Sequence, residues 1–320
     1  MKAIQIVAPQ RMRLVEVPLP RPAPGQVLVR MEALSICGTD MRRYRHPLPE
    51  GSYPLEPGIP CHECAGTIVE SLADGWKEGQ RVIFLPALNL NGGAEYVVGN
   101  PSMLVPLPQE GDIGEWLMCQ PWGTVLFSLE RVGSVLGKRV VVLGQGAIGL
   151  LFTMTLLRLG AGMVIAVDPI EERLEMSRRQ GAHRVVNPLR QDAVQAVNEA
   201  TKGQGADLVI EASGETESID MALQMARMYG TVVLFGVPEE DRVTLNYFEA
   251  LRKQLALVAT VSATCEDPAR PIKMAVALRR QGWADPAWII THRMSLADAP
   301  LAYDLYARRT EGIVKVVLRV

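Results

Sequence analysis

The chain has 320 residues, a formal net charge of −2 and 48% hydrophobic residues, enough for two domains with separate cores. The charged residues, 21% of the total, are spread along the chain, which argues against nucleic acid or a membrane as a partner. No apolar run reaches bilayer length and the sequence opens with a strand-like pattern, so we expect no signal peptide. The five cysteines are too few and too irregularly spaced for a disulfide framework, which favours a reducing, cytoplasmic location.

The N-terminal part, to about residue 120, is predicted to be rich in β-strands with long loops. Proline and glycine are frequent there, and apolar runs at 27–31 and 94–98 have the pattern of short strands. We therefore predict an all-β character for this part of the chain.

Two short motifs in this part have the chemistry of a metal site. Cys37 precedes Asp40 by three residues, and His62 stands next to Glu63. A thiolate and an imidazole suit Zn²⁺, and a carboxylate adds an oxygen ligand. Asp40 is expected to accept a hydrogen bond from the second ring nitrogen of His62 and so fix its tautomer. On spacing alone, a small buried thiol and ordinary loop residues explain the pattern slightly better than a metal site does, because two potential ligands do not make a site.

From about residue 123 to 260, strands and helices alternate, as in a doubly wound parallel sheet. The predicted strands are 140–143, 164–167, 184–186, 208–211, 232–235 and 257–261, and the helical patterns include 150–159, 171–180 and 219–229.

The first strand of this alternation leads into a glycine-rich turn that is typical of dinucleotide binding. Gly144 permits the tight turn, Gly146 leaves room for a pyrophosphate, and Gly149 lets the following helix lie close to the strand. Backbone N–H groups at the helix start then face the phosphates. Asp168 closes the next strand at the spacing expected for an acceptor of the ribose hydroxyls. A carboxylate there repels a 2′-phosphate, so we predict NAD rather than NADP.

The last part of the chain contains a predicted helix at 296–309 and a strand at 313–318. Because the parallel sheet is complete by about residue 260, this tail most simply returns to the first domain. We predict one domain from 1–122 and 264–320 and a second from 123–263.

Taken in order, these motifs resemble the zinc-dependent medium-chain alcohol and polyol dehydrogenases over nearly the whole chain. The resemblance implies an α/β protein with a GroES-like catalytic domain and a Rossmann NAD-binding domain. The matching segments are 37–40, 61–63, 79–82, 93–96, 211–214, 235–238, 290–292 and 312–317.

Two departures from the family pattern affect the metal. The structural zinc lobe, normally four cysteines, has no room, since only 83–92 separate the flanking motifs and contain no cysteine. We therefore expect one catalytic zinc and no structural zinc. At the family's third ligand position stands Gln120, a neutral amide and a weaker ligand than a carboxylate or thiolate. Glu63 or Cys64 could complete the ligand set instead, or the metal could be weakly held or absent.

The resemblance also implies roles for individual residues. Cys37 and His62 hold the catalytic metal, with Glu63 and Gln120 as further candidates, and Thr39 takes the proton from the substrate hydroxyl. Lys315 matches a basic residue that faces the pyrophosphate. The expected cofactor-binding residues are Gly144, Gly146, Ala147, Ile148, Gly149, Asp168, Arg173, Thr124, Ser213, Val237 and Lys315.

The leading hypothesis is an NAD(H)-dependent, zinc-assisted oxidoreductase that interconverts a secondary alcohol or polyol and its carbonyl. A metal-free reductase of quinones or enones is the alternative within the superfamily. A non-catalytic NAD(H)-binding protein is the alternative outside enzymes. The expected partners are a small alcohol or carbonyl substrate and further copies of the chain in a homodimer or homotetramer.

Overall fold

The computed structural model describes residues 1–86, 91–238, 240 and 242–320, and these form fifteen strands and ten α-helices. The strands are β1 (Lys2–Ala8), β2 (Arg11–Glu16), β3 (Val27–Ser35), β4 (Glu63–Ser71), β5 (Arg81–Phe84), β6 (Tyr96–Gly99), β7 (Leu104–Pro106), β8 (Arg139–Leu143), β9 (Met163–Val167), β10 (Arg184–Val186), β11 (Ala206–Glu211), β12 (Ala226–Leu234), β13 (Ala256–Ala259), β14 (His292–Ser295) and β15 (Val316–Arg319). The helices are α1 (Asp40–Arg45), α2 (Ile113–Leu117), α3 (Cys119–Val132), α4 (Ala147–Arg158), α5 (Glu171–Gln180), α6 (Ala193–Ala200), α7 (Thr216–Met225), α8 (Tyr247–Lys253), α9 (Ala269–Arg280) and α10 (Ala299–Arg308).

The chain divides into two compact units. Unit 1 contains Met1–Gly123 and Glu266–Val320, and unit 2 contains Thr124–Cys265. These bounds lie within one or two residues of the domain bounds that we expect from the sequence.

Unit 1 is built on a seven-stranded sheet with the order β14-β15-β3-β4-β5-β7, and β6 also pairs with β3. The pairings are antiparallel except for β14 with β15. The inward-facing aliphatic side chains of β1, β3 and β4 form one core with Tyr44 and Tyr303. The predicted β-rich character of this part is therefore confirmed.

Unit 2 is a six-stranded parallel sheet with the order β10-β9-β8-β11-β12-β13. In sequence order this is 3-2-1-4-5-6, the arrangement of a dinucleotide-binding Rossmann fold. The central strand β8 is apolar because both of its faces are covered, and Val140, Val141 and Val142 are fully buried. The predicted doubly wound sheet is confirmed.

The predicted end of one helix is wrong. The helical pattern at 219–229 stops early, because α7 ends at Met225 and β12 begins at Ala226. The Lys253 ammonium donates to the carbonyls of Leu223, Gln224 and Ala226 and so satisfies the end of the helix. These partners are distant in sequence, so the periodicity of apolar residues could not reveal them.

Across the described residues, we find no helix with the length and apolar character that crossing a membrane requires.

Candidate functional site

The candidate metal ligands lie at the meeting point of two strand ends in unit 1. Ser35 at the end of β3 pairs with Glu63 at the start of β4. Cys37 follows the end of β3 after one residue, and His62 precedes β4 directly, so the antiparallel pairing brings them together. One donor atom each from Cys37, His62 and Glu63 lies within 4.8 Å of the others. The structure therefore assembles three residues that the sequence singled out as ligands.

Asp40 orients two members of this cluster. Its carboxylate is fully buried, and Oδ1 lies 2.9 Å from His62 Nδ1 while Oδ2 accepts from the Cys37 backbone N–H at 2.9 Å. Placing the ring proton on Nδ1 leaves the lone pair of Nε2 free toward the cluster. Burial opposes a charge on the imidazole, but Asp40 and Cys37 outweigh it and raise the pKa of His62 well above its ordinary value.

The Thr39 hydroxyl lies beside two of the three candidate ligands. Its Oγ1 lies 3.4 Å from Cys37 Sγ and 3.5 Å from His62 Nε2. A hydroxyl at this place can both accept and donate a hydrogen bond, as the proton-transfer role expected of Thr39 requires.

Lys315 lies in the same cluster, on the segment that leads into β15. Its Nζ is 2.5 Å from Glu63 Oε2 and donates to the Ile36 carbonyl at 3.0 Å. The side chain is 2% exposed. Burial opposes its charge, but Glu63 and Cys37 outweigh this and raise the pKa of Lys315. In this structure the Lys315 ammonium thus forms an ion pair with Glu63, one of the candidate metal ligands. Its contact with a pyrophosphate stays a prediction.

Gln120, at the family's third ligand position, has one buried polar atom without a hydrogen-bond partner among the described residues. Gln120 is 8% exposed, and this atom is its amide oxygen Oε1. Its neighbour Cys119 is fully buried, and burial raises the pKa of that thiol to about 12, so it remains protonated. Cys64, the other alternative, points its thiol at Cys61, with the two sulfurs 3.6 Å apart. The geometry thus favours Glu63 as the third ligand and leaves Gln120 with a free acceptor oxygen.

In unit 2 the glycine turn has the predicted local geometry. Gly144 adopts a φ of +86°, which favours glycine, and a Cβ on Gly149 would overlap the Gly144 carbonyl oxygen. A Cβ on Gly146 would meet no atom closer than 3.9 Å, so that position is open toward a ligand. Helix α4 begins at Ala147, followed by Ile148, with Gly146 as its N-cap residue. The backbone N–H groups of this helix start are therefore available to phosphate.

Asp168 lies at the end of β9 beside this turn. Its Oδ2 accepts from the Gln145 N–H at 2.6 Å, and its Oδ1 accepts from the Ile170 N–H at 2.8 Å. Arg173 approaches Asp168 with Nη1 at 4.0 Å from Oδ2. These contacts gather the acid, the basic residue and the glycine turn at the carboxyl ends of β8 and β9, where ligands bind in such sheets.

The remaining predicted cofactor residues are spread over unit 2. Ser213 is exposed just after β11, and Val237 is 49% exposed after β12. Thr124 lies in α3 at the start of unit 2 and is partly exposed. The strands β8, β11 and β12 are neighbours in one parallel sheet. Ser213 and Val237 follow β11 and β12, so they lie at the carboxyl ends of the strands, as the glycine turn after β8 does.

Sequence reasoning missed two buried polar residues at the carboxyl ends of these strands. The Gln145 amide donates to the Val142 carbonyl at 3.1 Å, and its Oε1 accepts from Thr153 and Ser177 at 2.9 Å each. The second is Glu211, 1% exposed at the end of β11. The signal available in the sequence was a polar residue inside an apolar strand-and-turn motif, which calls for buried hydrogen-bond partners.

The comparisons with known proteins match both parts of the chain. Residues 23–109 match the family model described as the alcohol dehydrogenase GroES-like domain, and residues 147–276 match the model described as zinc-binding dehydrogenase. An uncharacterized zinc-type alcohol dehydrogenase-like protein from Haemophilus influenzae is 31% identical, over 75% of this chain and 77% of its own length.

Two solved structures are similar over the whole chain. The alcohol dehydrogenase TADH from Thermus sp. ATN1 has a TM-score of 0.87 and 26% identity, with 100% of both chains covered. A putative zinc-binding dehydrogenase from Sinorhizobium meliloti, bound to NADP, has a TM-score of 0.85 and 26% identity, with 100% of this chain and 99% of its own covered.

Proposed function

The chain belongs to the zinc-dependent medium-chain alcohol dehydrogenases, enzymes that act on CH–OH groups, and from this we propose an NAD(H)-dependent oxidoreductase that interconverts a secondary alcohol or polyol and its carbonyl. The observation that carries the proposal is the cluster of Cys37, His62 and Glu63, whose donor atoms lie within 4.8 Å of one another. A small alcohol or carbonyl compound is the proposed partner.

The donor set fits one zinc ion. A thiolate, an imidazole nitrogen and a carboxylate oxygen are all zinc ligands, and three protein ligands leave a fourth position for substrate in catalytic sites. Bound zinc would supply a Lewis acid at the substrate oxygen. Asp40 supports the fit because it holds His62 Nδ1 and leaves Nε2 free. We propose a single catalytic zinc and no structural zinc, although 87–90 within the 83–92 segment lie outside the described residues.

The glycine turn fits a dinucleotide, which would supply the hydride acceptor. Gly146 is open where a side chain would obstruct a pyrophosphate, and the Gln145 and Ile170 N–H groups use two of the about four acceptor positions of the Asp168 carboxylate. A negative charge beside the adenosine ribose disfavours a 2′-phosphate. We propose NAD(H) for this chain on that argument, while the Sinorhizobium meliloti relative is described as bound to NADP.

The residues of unit 1 would handle the proton. Thr39 Oγ1, close to both Cys37 Sγ and His62 Nε2, is placed to accept the proton of a substrate hydroxyl and pass on its own. The Glu63 carboxylate and the Lys315 ammonium form a buried pair, so Glu63 can serve as an anionic ligand without an isolated buried charge. A cytoplasmic location would suit this site, because Cys37 serves as a ligand only while reduced.

The experiment compares the unmodified protein with Cys37→Ser and Gln120→Glu. We expect Cys37→Ser to lower zinc content after mild chelation and to lower alcohol oxidation by about a hundredfold or more, because one anionic ligand is lost. NADH binding should be unchanged, since the glycine turn and Asp168 lie in unit 2. Gln120→Glu should tighten zinc binding by about tenfold, because a carboxylate replaces an amide. Zinc is measured by elemental analysis and turnover by NADH absorbance.

Cys265→Ser serves as the matched control, because Cys265 lies in unit 2 and outside the ligand cluster. This control should keep both zinc and turnover. Full activity in Cys37→Ser would overturn the zinc mechanism and leave the metal-free reductase in its place. Two tightly held zinc ions per chain would contradict the single-site proposal, and NADH binding without turnover on any alcohol would favour the non-catalytic alternative.

A further inference from the structure

Glu211 is a buried carboxylate that none of the proposed steps uses. It ends β11, which lies beside the central strand β8, and it is 1% exposed. Among the described residues no lysine or arginine pairs with it. A buried charge of this kind persists only when hydrogen bonds replace its hydration, so its donors indicate what it does.

The donors come from the loop that follows β11. Oε1 of Glu211 accepts from the Ser213 N–H at 2.8 Å, the Gly214 N–H at 3.0 Å and the Ser213 hydroxyl at 2.6 Å. The Ser218 hydroxyl is also within 2.6 Å of this oxygen. One carboxylate oxygen therefore fixes the backbone of this loop and the start of α7.

The same residue also holds the loop that follows β12. The Glu211 carbonyl accepts from the N–H groups of Phe235 and Gly236, each at 3.0 Å. The two loops touch there, since a Cβ on Gly236 would lie 2.5 Å from Glu211 Oε2 and a Cβ on Gly214 would lie 2.6 Å from the Val237 carbonyl oxygen. Any shift of Glu211 thus moves both loops.

We propose that Glu211 is a positioning residue for the nicotinamide half of the cofactor. Its carboxylate sets the loop that carries Ser213, and its main-chain carbonyl holds the loop that carries Val237. Both loops follow strands on the other side of β8 from β9 and Asp168, and each half of such a sheet binds one nucleotide of the cofactor. The glycine turn and Asp168 therefore act on the pyrophosphate and adenosine half. The inference rests on the proposed NAD(H) function. It predicts that the two halves of the cofactor depend on separate hydrogen-bond networks within unit 2.

The test measures binding of NADH and of ADP-ribose, which lacks the nicotinamide, to Glu211→Gln and Glu211→Leu by calorimetry. Glu211→Leu leaves the Ser213 and Gly214 N–H groups without an acceptor, and we expect NADH affinity to fall by about tenfold. Glu211→Gln keeps an acceptor but loses the charge, and we expect a fall of about threefold. ADP-ribose affinity should change by less than about twofold in both variants. If Glu211→Leu does not fold, the NADH and ADP-ribose affinities of Glu211→Gln still test the proposal.

Glu217→Gln is the matched control, because it removes the same charge from an exposed position on α7. It should leave both affinities unchanged. Equal loss of NADH and ADP-ribose affinity would assign Glu211 a purely structural role and overturn the inference, as would unchanged NADH affinity in both Glu211 variants. An unmodified protein that binds neither ligand would instead overturn the proposed function, so the two failures are distinguishable.

Discussion

Asp168 shows how one carboxylate can both support a turn and select a ligand. The Gln145 and Ile170 N–H groups donate to its two oxygens and fix its position, and a carboxylate has about four acceptor positions in all. Arg173 Nη1 lies 4.0 Å from Asp168 Oδ2, close enough for the guanidinium to offset part of the charge of the carboxylate. Cofactor choice should therefore depend on this residue more than on any other in unit 2.

We predict that the unmodified protein binds NADH more tightly than NADPH and that Asp168→Ala narrows the ratio of the two affinities by about tenfold. The physical reason is the loss of repulsion toward a 2′-phosphate together with the loss of a ribose acceptor. Fluorescence titration measures both affinities, and Glu172→Ala, an exposed acid on the neighbouring helix α5, should leave the ratio unchanged. Equal affinities in the unmodified protein would refute the prediction.

At the scale of elements, an ion-pair network joins the starts of three neighbouring strands in unit 2. Asp207 on β11 lies 3.1 Å from Arg139 Nε on β8 and 2.6 Å from Arg227 Nε on β12. It also accepts from the Arg139 backbone N–H at 2.8 Å. Partial burial opposes its charge, but the hydrogen bonds from Arg139 and Arg227 outweigh this and lower the pKa of Asp207 well below its ordinary value.

Because the pKa of Asp207 is lower in the folded state than in the unfolded state, its ionised carboxylate stabilises the fold. This stabilisation is complete above the unfolded pKa of about 3.9 and is lost as the pH falls toward the folded pKa. We predict that Asp207→Asn lowers the free energy of unfolding by about 2 kcal/mol at pH 7 and by less at pH 3. Denaturant titrations at both pH values measure this. Glu199→Gln, in an exposed pair with Arg184, should cost less than about 0.5 kcal/mol. If the difference in unfolding free energy between Asp207→Asn and the unmodified protein is the same at both pH values, the predicted role of Asp207 is wrong.

The local parts of this molecule could be predicted from the sequence, and the non-local ones could not. The glycine turn and Asp168 follow from short motifs, because turn geometry depends on adjacent residues. The partner of Glu63 is Lys315, and no spacing rule connects two residues from opposite ends of the chain. For the same reason the end of α7 was predicted too far along, since the partners of Arg227 and of the last helical carbonyls are Asp207 and Lys253.

For the whole molecule, the sheet edges of unit 2 differ in a way that bears on assembly. The edge strand β10 has only three residues and contains Arg184, and such short, charged edges resist pairing. The opposite edge, β13, has no charge and no proline, and Leu257 on it is 41% exposed. Nearby in sequence, Tyr247 and Phe248 on α8 are 69% and 70% exposed. An apolar edge of this kind suits a second copy of the same strand.

We therefore predict that the protein is a homodimer, or a homotetramer built from such dimers, and that Leu257→Lys shifts it toward monomer by placing a charge on the edge. Light scattering coupled to size-exclusion chromatography measures the mass. Leu189→Lys is the control, because Leu189 is 80% exposed elsewhere in unit 2 and should not affect assembly. A monomeric unmodified protein, or an unchanged mass in Leu257→Lys, would disprove the prediction.

The contacts of Lys315 also determine when the group of candidate metal ligands can be completed during synthesis. The ammonium reaches the Ile36 carbonyl across 279 residues of sequence, and all of unit 2 lies between the two parts of unit 1. At typical rates of translation, the segment with Cys37, His62 and Glu63 leaves the ribosome on the order of ten seconds before Lys315 does. During that interval three thiols destined for burial or metal binding, at positions 37, 61 and 64, belong to an unfinished domain. A nascent chain of this protein therefore exposes these thiols and the candidate metal ligands before the residues that complete their unit have been synthesised.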